Sequence, residues 1–140
     1  MTQNPPAMTK RQIDALTPFL DTFTQPGYRP YLPEAEMTMA LPDPPEVESF
    51  RNIYLEVCQD IEPGGALAGD PPGLDPTELY MHFSNSEAMA TASANQIRRY
   101  LLVTYRGDYH GFLATANKIA SGVIPAALRR LQELRADAPD

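Results

Sequence analysis

His82, His110 and Cys58 are the side chains of this chain whose types most readily do chemistry. A zinc site needs three or four nitrogen, sulfur or carboxylate ligands drawn together. Neither histidine has a ligand partner three or four residues after it, so no pair of histidines shares a helix face. Satisfied or solvated histidines account for both. A nucleophilic Cys58 would need a base within reach and an oxyanion hole. It lies beside the apolar stripe of a predicted helix instead, the position of a packed thiol. No Walker loop or dinucleotide fingerprint occurs, and the glycines between residues 64 and 73 lack the order that cradles phosphate. No catalytic residue, metal ligand or cofactor is assigned, and a non-catalytic protein is expected ahead of a small enzyme with an unrecognised site.

Charge offers other chemistry. The net charge is −7, and it is unevenly spread. Residues 1–94 hold Lys10, Arg11, Arg29 and Arg51 against fourteen acids, a formal −10. Residues 95–140 hold seven basic residues against four acids, a formal +3. An acidic chain repels phosphate backbones at long range, which disfavours broad nucleic-acid binding. A local basic patch at Arg129, Arg130 and Arg135 keeps a DNA-associated regulator as the second reading, with a solvated helix face as the plainer one. The acidic stretch could dock a basic protein partner. Tyrosine is enriched at interfaces, so Tyr28 and Tyr31 with Glu34, Glu36 and Glu46 are the candidate partner-binding residues. Arg106-Gly107-Asp108 matches an adhesion tripeptide, but a helix stop followed by an N-cap explains it physically.

The elements that must position these groups are helices. Thr9 and Gln12 have capping-box spacing, and Met8 and Ile13 that of a hydrophobic staple. Ile13, Leu16, Leu20 and Phe23 then form one stripe. Pro18 interrupts it, and a single kinked helix is expected over a second helix starting at Thr17. Pro26, Pro30, Pro33 and Pro42 with Gly27 exclude a long helix there. Residues 25–45 are read as an extended wrapping segment anchored by Tyr28, Tyr31 and Leu32, with Glu36 to Leu41 as an optional strand. Asp43-Pro44-Pro45-Glu46 reads as a cap, a proline at N1 and an acid at N3. The helix that follows uses Val47, Phe50, Tyr54, Val57 and Ile61 and ends at Gly64 and Gly65. Residues 64–73 form a Gly/Pro loop. Asp75-Pro76-Thr77-Glu78 opens a short helix through Leu79 and Phe83.

Ser84-Asn85-Ser86-Glu87 is read as a cap for a long helix running to Tyr105. Its buried face is Ile97, Tyr100, Leu101 and Thr104, with Arg98 and Arg99 opposite. Gly107 is expected to end it with positive φ, and Asp108 to cap a helix of Tyr109, Phe112, Leu113, Ala116, Ile119 and Ala120. Gly122 stops that helix. Pro125 fits the first turn of the next, whose stripe is Ala127, Leu128, Leu131 and Leu134.

Arg106-Gly107-Asp108-Tyr109, Gly111, a helix, Gly122 and the closing LRRLQEL resemble the C-terminal part of an uncharacterised bacterial family of small proteins. The resemblance covers the last third of the chain, with fainter similarity at Ile13 to Gly27 and Phe50 to Tyr54. It implies an α-helical domain and no functional residue.

The expected fold is mainly α: a single-domain bundle of four to six helices over residues 9–136, with a Pro-rich extended segment. Residues 1–8 and 137–140 are expected to be loose ends. No apolar run approaches the roughly 18 residues of a membrane span, and Met1 to Lys10 lacks the apolar core of a signal peptide. A cytoplasmic protein of bacterial or phage type, binding a protein partner and leaving self-association open, is the resulting expectation.

Overall fold

The computed structural model describes residues 7–32, 43–59, 76–111 and 113–140. The fold is mainly α, and no strand occurs among the described residues. Its helices are α1 (Lys10–Leu16), α2 (Phe19–Phe23), α3 (Pro45–Val57), α4 (Pro76–Phe83), α5 (Ser86–Met89), α6 (Ala94–Tyr109), α7 (Ala114–Ala120) and α8 (Val123–Leu134). A turn of 3-10 helix, Arg135–Asp137, follows α8. No described helix is long and apolar enough to cross a membrane.

The N-terminal signals work as expected. Thr9 and Gln12 form a reciprocal capping box, and Met8, Ile13, Leu16, Leu20 and Phe23 are buried. At Pro18 the helical ladder breaks, giving α1 and α2 in place of the single helix expected. Thr17 and Pro18 nevertheless both keep right-handed helical angles. The missing proline N–H removes a bond and leaves the path of the chain helical. Phe19 and Phe23 then stack at 5.8 Å, and Phe50 meets both edge-on at 5.3 and 5.2 Å. Tyr54 extends the cluster from Phe50 at 5.4 Å.

Helix α3 starts one residue later than the cap signature suggested. Pro44 occupies the N-cap and makes no side-chain cap bond. Asp43 is drawn inward to an arginine instead. Val47, Phe50, Tyr54 and Val57 are buried as expected, but the helix ends at Val57, short of Ile61. Ile61, the Gly64–Gly65 stop, Asp75 and the optional strand lie outside the described residues.

Helix α6 is the centre of the bundle, with α3, α4, α7 and α8 packed around it. The long helix expected from Ser86 is two helices. Asn85, rather than Ser84, caps α5 by accepting from the Ala88 N–H. Ser93 and Gln96 form a second capping box that restarts the chain as α6. Being central, α6 has no solvent side over its first turns. Ile97, Tyr100, Leu101 and Thr104 are buried, but so are Arg98 and Arg99, both 0 % exposed and contrary to the expected polar face. Arg98 donates to the Val57 carbonyl at 3.1 Å. That carbonyl lies in the last turn of α3, where the ladder offers no partner. The Cys58 thiol in turn donates to the Arg98 carbonyl at 3.4 Å. Cys58 is therefore a buried packing residue at the α3–α6 seam.

The break after α6 is displaced from Gly107. Helix α6 runs through Gly107 to Tyr109, and the positive φ values fall at Gly111 (83°) and Leu113 (52°). Gly107 serves close approach: a Cβ there would lie 2.8 Å from the Ala114 Cβ. Tyr109 accordingly belongs to α6, and Ala120 is exposed. Gly122 does stop α7, with φ 89°, and Pro125 sits in the first turn of α8. Ala127, Leu128 and Leu131 are buried, and Leu134 is half-buried.

The end of the chain returns to α1. The Lys10 N–H donates to the Pro139 carbonyl at 2.8 Å. Arg135 forms a bidentate pair with Asp14 at 2.7 and 2.9 Å. That pair holds the Asp14 carboxyl below its usual range, although exposed pairs of this kind contribute little to stability.

Burial pushes four of the seven tyrosines, Tyr28, Tyr54, Tyr80 and Tyr100, above the ordinary phenol value. Their raised folded-state pKa means that the unfolded chain loses phenolic protons first. Stability is therefore full below pH 10.0, the ordinary value, and falls as pH rises beyond it. Absorbance at 295 nm should show these four ionising only with loss of helix. A single normal transition for all seven would contradict the packing.

Candidate binding site between α3 and the α6–α7 turn

Two cavities meet beside Tyr105 and Tyr109. The first, of about 200 Å3, is lined by Asp43, Arg51, Tyr105, Asp108, Tyr109, Gly111 and Leu113. The second is a more apolar trough of about 330 Å3, lined by Leu55, Leu102, Tyr105, Arg106 and Tyr109. Tyr109 is 77 % exposed and forms part of both walls.

Each side chain reaches the first cavity for a local reason. Asp43 precedes the two prolines that open α3, where the extended angles of Pro44 aim the chain back toward the helix. Arg51 lies two turns further along α3. Its guanidinium bridges two carboxylates, donating from Nη2 to Asp43 Oδ2 and from Nε to Asp108 Oδ2 at 2.8 Å. Asp108 sits in the last turn of α6. It is not the N-cap expected at the start of the next helix, a position Leu113 occupies, but it reaches the first turn of α7 from within α6: the Thr115 N–H donates to its Oδ1 at 2.9 Å, and the Thr115 hydroxyl donates to Oδ2. Thr115 has one hydroxyl proton, and Asp108 takes it. The Tyr54 hydroxyl, 2.8 Å away, is therefore the donor to Thr115 Oγ1. A continuous polar chain runs Tyr54–Thr115–Asp108–Arg51–Asp43.

This chain is buried. Side-chain exposure is 4 % for Asp43, 7 % for Asp108 and 15 % for Arg51. Burial opposes the Arg51 charge, yet its bonds to Asp43 and Asp108 together outweigh burial and hold its pKa above the ordinary value. Burial likewise raises the Tyr54 phenol. Two carboxylates surround one guanidinium, so the cluster is formally negative. Asp43 Oδ1 meets no hydrogen-bond donor among the described residues although it is buried. Beside it, Leu113 holds left-handed angles (φ 52°, ψ 40°), a conformation that costs a non-glycine residue of order 1–3 kcal/mol.

Of the residues expected to bind a partner, Tyr28, Tyr31 and Glu46 do not line these cavities. The Tyr28 hydroxyl donates to Glu46 at 3.0 Å, and the Tyr31 hydroxyl to Asn117 at 2.7 Å. Both act as the anchors of the extended segment, and neither is fully exposed; Glu34 and Glu36 lie outside the described residues. Among the basic candidates, Arg130 donates to the Ala92 carbonyl at 2.9 Å and pairs with Glu133 at 3.6 Å. Arg135 is held by Asp14, and Arg129 alone of the three lies open on the surface of α8. His82 and His110 are exposed, and no group of three metal-ligating side chains occurs among the described residues.

Sequence reading assigned Asp43 and Asp108 to caps and gave Arg51 no role. A usable signal was present in Arg51, the one cation between Arg29 and Arg98 in a strongly acidic stretch. Comparison of the chain with family models, with curated proteins and with solved structures returns no match.

Proposed function

We propose that the protein is a non-catalytic, cytoplasmic protein-interaction module that receives a basic and apolar segment of a partner protein on the α3–α6 face. The observation that carries this reading is the pair of adjoining cavities around the exposed Tyr109, one apolar and one edged by buried carboxylates. The partner segment places an aliphatic side chain in the Leu55–Leu102 trough and a cation toward Asp43 and Asp108. The overall charge of −7 favours encounter with such a segment. The reading keeps the acidic-surface expectation and moves its focus away from Tyr28, Tyr31 and Glu46, which bond within the fold. Membership of the small bacterial family belongs to this proposal and assigns no residue a role. A nucleic-acid role through α8 is weaker, because Arg130 and Arg135 are committed to contacts inside the molecule.

Short peptides pairing leucine with lysine should shift amide resonances of α3, α6 and the turn at Gly111. Acidic or scrambled-polar peptides should not, and added salt should weaken the effect. Shifts centred on α8, or equal response to acidic peptides, would reject this assignment.

A further inference from the structure

We propose that the Asp43 cavity is a binding site for a primary alkylammonium group, supplied by a lysine side chain or by a small free amine. The ligand need is written in Asp43. This carboxylate forms part of the cavity wall, its side chain is 4 % exposed, and Oδ2 is held by Arg51. Oδ1 is buried without a donor among the described residues, and a small turn of the carboxylate brings it to the cavity. A buried acceptor left unmet is costly, and a carboxylate oxygen asks for a donor that also carries positive charge. Arg51 meets Oδ2 and not Oδ1, its guanidinium being spread between Asp43 and Asp108.

The wall selects among cations. Asp43 and Asp108 against Arg51 leave one formal negative charge, so an anion is excluded and one cation is balanced. Tyr105 and Tyr109 are in the wall, and an aromatic ring attracts a cation that reaches its face. The cavity of about 200 Å3 suits a compact head on a slim stem. An ammonium is compact, with three rotatable donors, whereas a guanidinium presents five donors in a fixed plane and needs more acceptors than one free oxygen. A quaternary ammonium has no proton to give Oδ1.

This site deepens the docking reading, and it is tested so that the two can fail separately. The full chain is titrated with butylammonium, tetramethylammonium and butanol while amide shifts of Asp43, Asp108, Gly111 and Leu113 are followed. Butylammonium should give saturable shifts at those residues, and the other two should not. Asp43→Asn should weaken butylammonium about tenfold or more, since a charge-assisted bond is lost. Should Asp43→Asn fail to fold, Tyr109→Ala decides, because that side chain is 77 % exposed and its removal leaves the core intact. It should weaken binding several-fold through the lost ring face. Unsaturable shifts, equal response to tetramethylammonium or butanol, or unchanged affinity in a folded Asp43→Asn or Tyr109→Ala protein would overturn the proposal. A leucine–lysine peptide and its acetyl-lysine form separate the sources. Loss of peptide binding on acetylation identifies a lysine side chain as the ligand. Binding of butylammonium with no peptide response identifies a free amine, and rejects the docking reading alone. Peptide binding indifferent to acetylation, together with no saturable butylammonium response, rejects the ammonium site alone.

Discussion

Arg51→Met should destabilise the protein by about 3–5 kcal/mol, the range for breaking a buried ion pair from one side. Methionine replaces the aliphatic stem but leaves Asp43 and Asp108 facing each other without a cation. Their side chains are 4 % and 7 % exposed, so water entering from the adjoining cavity replaces only part of the lost interaction. Asp108 also holds the first turn of α7 through the Thr115 N–H, and its repulsion from Asp43 would strain that bond. Urea unfolding followed by helix ellipticity measures the loss as a lower midpoint at similar slope. Adding Asp43→Asn to Arg51→Met removes one stranded charge and should recover part of the loss. A cost below about 1 kcal/mol, the level of an exposed pair, or a double variant no better than the single one, would show that the cluster does not join α3 to the α6–α7 turn.

The second large effect is expected at Gly107. In an unobstructed helix interior, Gly→Ala would stabilise by about 1 kcal/mol. Here the new Cβ would stand 2.8 Å from the Ala114 Cβ, closer than carbon atoms tolerate. Neither atom can rotate away, since both are fixed to helical backbone, so α6 and α7 must separate. Overpacking of this kind costs typically 1–3 kcal/mol and outweighs the propensity gain. The double variant Gly107→Ala/Ala114→Gly restores space and should recover most of the midpoint. A stabilised single variant would mean that α7 does not cross α6 at this point.

Local signals were legible wherever both partners lay within one turn. Thr9 with Gln12 announced its capping box, the α3 stripe its burial, and Gly122 its stop. Ser93 with Gln96 carried the same signal. It was passed over because the small residues from Ala88 to Ala94 read as uninterrupted helix, and helical propensity is continuous across a boundary that a cap decides. Gly107 shows a different limit. Glycine serves positive φ and close approach alike, and only the path of α7 separates the two uses. The burial of Arg98 and the bridging by Arg51 depend on groups 41 and 57 residues away. No window along the chain contains such pairs. The candidate site is therefore nearly invisible in the sequence as a site, although its two carboxylates each carry a local capping signal.

The contacts that bind α1 to the segment after α8 also set an order of events during synthesis. Asp14 and Arg135 are 121 residues apart in sequence, and α1 and α2 both pack on α8. A nascent chain that grows at about 5–20 residues per second therefore carries the stripe of Ile13, Leu16, Leu20 and Phe23 for many seconds before its last neighbour emerges. Helix α3, with Phe50, can shelter the Phe19–Phe23 side early, but the α8 side stays uncovered. In that interval the half-made protein presents an apolar surface that the finished one hides, and a holding chaperone would have its best purchase there.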